Sequence, residues 1–163
     1  MYETLRFLVV DDNAQVRTVI KEILRGFGAG AIEWAQNGAA ALDLLNAQPF
    51  DMLITDMVMP GVGGVELAKT VRSGATRAKI DIPIIMLSGN IDRAALVAAR
   101  NAGVNEFVAK PVVIAHLHAR LEACLTRPRR FIVSEGYTGP CRRRALVQFP
   151  FSERRGRKKT AYL

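Results

Sequence analysis

Leu5-Arg6-Phe7-Leu8-Val9-Val10-Asp11-Asp12 decides the fold, because a nearly unbroken apolar run rich in branched side chains ends there in two carboxylates. A run of this kind reads as a strand of a parallel sheet covered on both faces, since a strand with one wet face would alternate apolar and polar residues. The pattern returns three times. Met52-Leu53-Ile54-Thr55 leads into Asp56, Ile84-Ile85-Met86-Leu87 into Ser88, and Phe107-Val108-Ala109 into Lys110. Open α/β sheets bind ligands at the carboxyl ends of their strands, so one sheet edge would gather three carboxylates, a hydroxyl and an ammonium. Carboxylates held together repel unless a cation neutralises them, and hard oxygen donors with room for water suit Mg²⁺. This is the chemistry of a phosphoryl-transfer site with a metal.

The segments between these runs are helical in period. Val16, Val19, Ile20, Ile23 and Leu24 recur at helix spacing before a stop at Gly26-Phe27-Gly28, and Ile32 to Ala35 reads as a short second strand. Asn37 is placed to cap a helix carrying Ala40, Ala41, Leu44 and Leu45. Further helices are expected around 65–73, from Asn90 or Asp92 to about 102, and over about 112–125 with Val113, Leu117 and Leu121 inward. Val104 to Val108 is expected as the fifth strand, with Pro83 opening the fourth. Five strands alternating with five helices give a doubly wound α/β domain with right-handed crossovers. Strand order 2-1-3-4-5 would bring the acidic pair, Asp56 and Lys110 together.

The chain has 163 residues, half of them hydrophobic, enough for one domain with a full core. Its formal charge of +8 is unevenly spread: residues 1–126 hold 12 Lys+Arg against 13 Asp+Glu, and residues 127–163 hold 11 against 2. A near-neutral domain, 1–126, is therefore expected to precede a basic extension, 127–163, without a recognisable effector domain. Cys124 and Cys141 have neither CxxC nor metal-ligand spacing, which fits reduced thiols. No secretory pattern opens the chain and no apolar stretch reaches the roughly 18 residues of a membrane helix, so a cytoplasmic location without a membrane span is expected.

With these pieces in hand, residues 5–125 resemble the receiver domain of bacterial two-component response regulators, and the stand-alone chemotaxis type in particular. The resemblance rests on Val9-Val10-Asp11-Asp12, Asp56-Met57-Val58-Met59-Pro60-Gly61, Ser88-Gly89 and Lys110-Pro111, in order and at the usual spacings. It implies the flavodoxin-like fold, an aspartyl phosphate formed at Asp56, and Mg²⁺ as cofactor. It further implies direct metal ligation by Asp12, Asp56 and the Val58 carbonyl, with Asp11 acting through water. Lys110 and Ser88 would hold the phosphoryl oxygens, and Ser88 with Phe107 would form the switch that remodels the face made by the fourth helix, fifth strand and fifth helix. Phosphoryl lifetime in the family is tuned at the positions matching Val58 and Asn90. The implied partners are a sensor histidine kinase or phosphotransfer protein and an output protein bound through that face; a homodimer is left open. Such a protein is not an enzyme on separate substrates, since it catalyses its own phosphorylation and dephosphorylation only. A phosphatase of the aspartyl-phosphate type is disfavoured, because Val58 stands where those enzymes carry a second Asp.

The remaining signals are weaker. Gly26 to Ala31 satisfies GxGxx(G/A) but lies between a helix and a strand, the reverse of a dinucleotide site. Gly61-Val62-Gly63-Gly64 lacks the Lys-Ser/Thr of a P-loop, and His116 and His118, two apart on a helix, point in different directions. In the extension, Phe131-Ile132-Val133 reads as an isolated extended piece and Tyr137-Thr138-Gly139-Pro140 as a turn. Arg142-Arg143-Arg144 and the cluster Arg154 to Lys159, with Phe149, Phe151 and Tyr162, allow nucleic-acid or anionic-surface binding gated by phosphorylation. That alternative is not favoured. The aromatic content points instead to a tail that packs on the domain or on a protein partner.

Overall fold

The computed structural model describes residues 2–89 and 92–143 and the backbone of 161–162. Strands β1 (Arg6–Val10), β2 (Ala31–Ala35), β3 (Met52–Asp56), β4 (Ile84–Ser88) and β5 (Glu106–Ala109) alternate with helices α1 (Ala14–Gly26), α2 (Gly38–Ala47), α3 (Gly64–Arg72), α4 (Arg93–Asn101) and α5 (Ile114–Thr126). The five strands are parallel, as the apolar runs predict, and stand in the order β2-β1-β3-β4-β5 that the family resemblance implies.

Every residue of β3 and β4 is buried, so these two strands form the middle of the sandwich. Alternation along β1 divides the core in two. Phe7 and Val9 pack with Ile20 and Leu24 of α1 and Leu117 and Leu121 of α5, whereas Leu8 and Val10 pack with Leu45 of α2, Leu67 and Val71 of α3 and Ala99 of α4. Each fully buried Leu or Ile removes apolar surface worth about 1.5–3 kcal/mol. Side chains at the helix starts direct the chain into its turns: Asn13 caps α1, Asn37 caps α2 through the Ala40 N–H at 2.8 Å, and Asp92 caps α4.

Three local expectations are corrected. Val113 is the cap residue of α5 and is 47% exposed, so the inward row begins at Leu117. Val104 precedes β5; it is buried, but its amide donates to Ala99 at the end of α4, a helix-closing bond that keeps it out of the sheet ladder. Phe131 is not isolated: β6 (Phe131–Ser134) and β7 (Tyr137–Pro140) form an antiparallel hairpin turned at Glu135-Gly136, so 137–140 is a strand. The backbone of β8 (Ala161–Tyr162) pairs antiparallel with β6.

The hairpin rests on the amino-terminal end of β5, the sheet end away from the carboxylates. Arg72 of α3 lies over the Phe131 ring, 5.3 Å from its centroid. Gly103 has φ +85°, and a Cβ there would come 2.4 Å from the Thr138 carbonyl, so the α4–β5 turn and β7 touch backbone to backbone. Arg129 donates to the Asn105 carbonyl and lies 3.7 Å from Glu106, which also faces Arg120 of α5. Arg142 covers the Tyr137 ring at 4.1 Å. Asn90, Arg144, Phe149, Phe151 and the cluster 154–159 lie outside the described residues. Among the described residues no helix is long and apolar enough to cross a membrane.

Candidate functional site

Each polar residue that closes an apolar run arrives at one edge because the parallel register puts all the strand ends on the same side. Asp56 pairs in register with Leu87, and Ser88 with Ala109, so the last residues of β3 and β4 and the one that follows β5 converge. The Lys110 amide donates to the Ser88 carbonyl at 2.8 Å and fixes the root of the lysine. Its ammonium lies 2.7 Å from Asp11 Oδ2 and 3.0 Å from Asp56 Oδ2. Oxygen atoms of Asp11, Asp12 and Asp56 lie within 4.8 Å of one another. Asp11 and Asp56 are buried, while Asp12 is open to solvent.

Backbone donors orient the two buried carboxylates. Asp11 Oδ1 accepts from the Asn13 amide at 2.9 Å, and the side chain of the same Asn13 accepts from Gln15 at the start of α1, so one residue ties the acidic turn to the helix. Asp56 Oδ1 accepts from the Met57 amide at 2.8 Å, leaving Oδ2 turned to Lys110. After Met57 the chain folds tightly back: a Cβ on Gly64 would sit 2.0 Å from the Asp56 carbonyl oxygen, so α3 starts against the backbone of the acid itself. Val58, within this loop, is 77% exposed. Ser88 is buried at the end of β4, and Phe107, on β5, is half-buried against the α3–α4 side of the core.

Burial pushes the Asp56 carboxyl above its ordinary range; Lys110 and the Met57 amide pull it down, and the Asp11 charge pushes the same way as burial. Burial alone would lower Lys110, but hydrogen bonds and charge from Asp11 and Asp56 outweigh it and raise the ammonium pKa. The signs for stability follow. Lys110, raised on folding, stabilises below its ordinary value of 10.5 and loses this as pH climbs through the raised value. Asp56 is also raised, so its ionisation costs stability as pH climbs from 3.8 to the folded value. In Lys110→Met the Asp56 carboxyl is expected to titrate higher still, because its largest opposing influence is gone. Carboxyl carbon NMR across an acid titration of the metal-free protein checks this; an unchanged or lowered midpoint would contradict the assigned contact.

One ammonium cannot neutralise three carboxylates, and an exposed Asp12 beside two fixed acids offers hard oxygen donors with open positions, which fits a hydrated Mg²⁺. Among the described residues no other group of three or more such ligands is gathered. His116 and His118 are both exposed; His118 packs edge-on against Phe27 at 4.8 Å. The charged residues at the strand ends were visible in sequence, but their supports were not. Asn13 directly follows two acids and precedes a helical period, a capping signature that could have been read. Arg17, which donates to the Asp11 carbonyl, and Thr55, whose hydroxyl donates to the Asp56 carbonyl at 3.1 Å, have no sequence signal.

Comparison with known proteins agrees with this geometry. The family model for the response regulator receiver domain matches residues 7–122. Chemotaxis protein CheY of Pseudomonas aeruginosa is 35% identical over 123 residues, covering 76% of this chain and 98% of the relative. The structure of Vibrio cholerae chemotaxis protein CheY4 superposes with a TM-score of 0.68 at 27% identity, over 74% of this chain and 98% of that one. The receiver domain of sensor histidine kinase PA1611 from Pseudomonas aeruginosa, solved with a magnesium ion coordinated in its active site cleft, superposes with a TM-score of 0.65 at 28% identity, over 72% of this chain and 94% of that one. The hairpin lies beyond the family match.

Proposed function

The chain belongs to the response regulator receiver family of two-component signalling, and we propose that Asp56 takes a phosphoryl group, with Mg²⁺, from a sensor histidine kinase or phosphotransfer protein. The observation that carries this is the Asp56 carboxylate itself, oriented by the Met57 amide and aimed at Lys110 beside two further acids. Asp56 attacks phosphorus, an oxygen–phosphorus bond forms as the nitrogen–phosphorus bond of the donor phosphohistidine breaks, and the leaving imidazole recovers a proton. Lys110 then moves its charge from carboxylate to phosphoryl oxygens, and the Ser88 hydroxyl donates to one of them. Asp12, Asp56 and the Val58 carbonyl would hold Mg²⁺, with Asp11 reaching it through water; bound there, the ion neutralises charge on the transferring group.

Output in this reading is a change in affinity for a protein partner at the α4-β5-α5 face, driven by Ser88 and by a turn of the Phe107 ring. The protein acts on itself alone and has no separate substrate. A cytoplasmic location goes with it, since phosphohistidine donors are made where ATP is. Incubation with acetyl phosphate should add one hydroxylamine-labile phosphoryl group only when Mg²⁺ is present, and capture with phosphorylated and unphosphorylated protein should retain different partners. Labelling that is indifferent to a chelator would overturn the reading.

Val58 bears on how long the signal lasts. An exposed apolar side chain two residues after the acceptor cannot orient attacking water, so dephosphorylation is expected to be slow. Val58→Asn supplies a polar group at that point and should speed loss of the phosphoryl group several-fold. Timed quenching after donor removal checks this, and equal decay rates would remove the role given to Val58.

A further inference from the structure

Arg17 and Trp34 stand outside the carboxylate cluster yet grip its frame. Arg17 of α1 donates from Nη1 to the Asp11 carbonyl at 2.6 Å, and its guanidinium lies over the Trp34 ring, 4.8 Å from the centroid. Trp34 sits in β2 opposite Val9, so the ring reaches Arg17 from the strand beside the one that leads into Asp11. The next residue in β2, Ala35, accepts the Asp11 amide at 3.2 Å. The Asp11 peptide is thus held from both of its polar atoms, once by the sheet and once by a guanidinium that Trp34 keeps in place. The ring is 48% exposed, an arrangement the hydrophobic core does not explain and a stacked cation does.

We propose that Arg17, seated by Trp34, is a positioning residue for Mg²⁺ binding: it fixes the Asp11 carbonyl and with it the turn from which the Asp11 and Asp12 carboxylates project. The inference rests on the metal site proposed above. Two effects of Arg17 oppose each other. Its positive charge repels a divalent cation, while its hold on the turn removes the freedom that ligands would otherwise lose on binding. Changing Trp34 separates them, because no charge changes.

Mg²⁺ affinity of the full chain, measured by calorimetry, should weaken about ten-fold in Trp34→Leu, the range found for partners that orient metal ligands. Trp34→Phe keeps a ring face and should recover most of the affinity. Arg17→Gln removes a cation, which by charge alone would tighten Mg²⁺; weaker binding is expected instead. Trp34 is the chain's one tryptophan, so its fluorescence should respond to Mg²⁺ in the unaltered protein. A purely structural role would lower the melting temperature and leave the affinity alone. Unchanged affinity in Trp34→Leu, no recovery in Trp34→Phe, or tighter binding in Arg17→Gln each overturns the proposal. Asp12→Ala keeps the two readings apart. Loss of binding there with normal binding in Trp34→Leu sinks only the positioning role, whereas no Mg²⁺ binding by the unaltered chain sinks the metal site as well.

Discussion

Asp56→Asn is expected to abolish phosphoryl uptake from acetyl phosphate and from any phosphohistidine donor, a loss below detection and not a partial slowing. An amide oxygen is a far weaker nucleophile than a carboxylate, and no neighbouring acid can replace it. Asp11 is buried, with one oxygen bound to the Asn13 amide and the other held by Lys110. Asp12 is exposed and has no ion pair with that lysine among the described contacts. The substitution should leave the fold intact, since Asn keeps the size of Asp and its carbonyl still accepts from Met57. It also removes a charge whose ionisation burial disfavours, so the metal-free variant should melt no lower than the parent. Radiolabel uptake under Mg²⁺ decides the matter: if Asp56→Asn incorporates phosphate like the parent, the acceptor has been misassigned.

How much of this was legible in sequence differs by region, for physical reasons. A central parallel strand is buried on both faces, and that demand leaves an unbroken apolar run that cannot be mistaken for an alternating strand. β1, β3 and β4 carry that mark, and the polar residue that ends each run marks the edge where the site lies. Strand order came from family resemblance; periodicity alone could not rank neighbours. Local termini were less legible: Val113 is apolar at helical spacing from Leu117, yet it caps α5 on the surface, and spacing cannot tell an exposed apolar cap from an inward residue.

The hairpin was the least legible part. Gly139-Pro140 carries turn chemistry and misled, because Gly139 serves a different need: a Cβ there would come 2.6 Å from the Gly103 Cα. Close backbone approach and a reverse turn both call for glycine, and sequence alone does not separate them. The actual turn, Glu135-Gly136, has a glycine of its own with φ +88°. Nor does anything in sequence announce Arg72 as buried. An arginine at the end of an amphipathic helix ordinarily faces water, and this one is buried only because the α4–β5 turn and β6 close over it.

That burial makes Arg72 the residue whose loss should cost most in stability. It is 4% exposed and spreads its donors over two separate segments, the α4–β5 turn and the loop before β4: Nε to the Gly103 carbonyl at 3.0 Å, Nη2 to Asn105 Oδ1 at 2.9 Å, and Nη1 to the Ile80 carbonyl at 2.6 Å. Asn105 Oδ1 also accepts the Ile84 amide, so the network reaches the first residue of β4. Burial draws the guanidinium pKa down to about 10, which still leaves it charged at neutral pH. Arg72→Met keeps much of the apolar stem and strands two carbonyls without their donor, at about 1–3 kcal/mol for each buried group left unpaired. Loss of the stacking on Phe131 adds about 1 kcal/mol. Relief from holding a buried charge offsets part of this, so a net loss of about 3 kcal/mol is expected. Chemical denaturation should show it as a lower midpoint, with the hairpin cleaved sooner by protease. Pairing the change with Phe131→Leu tests the contact: the two losses should fall short of additive by about the stacking energy. Phosphoryl uptake at Asp56, at the opposite end of the sheet, should persist under native conditions. A loss under about 1 kcal/mol would mean that water takes over these carbonyls and that the extension can leave the domain at little cost.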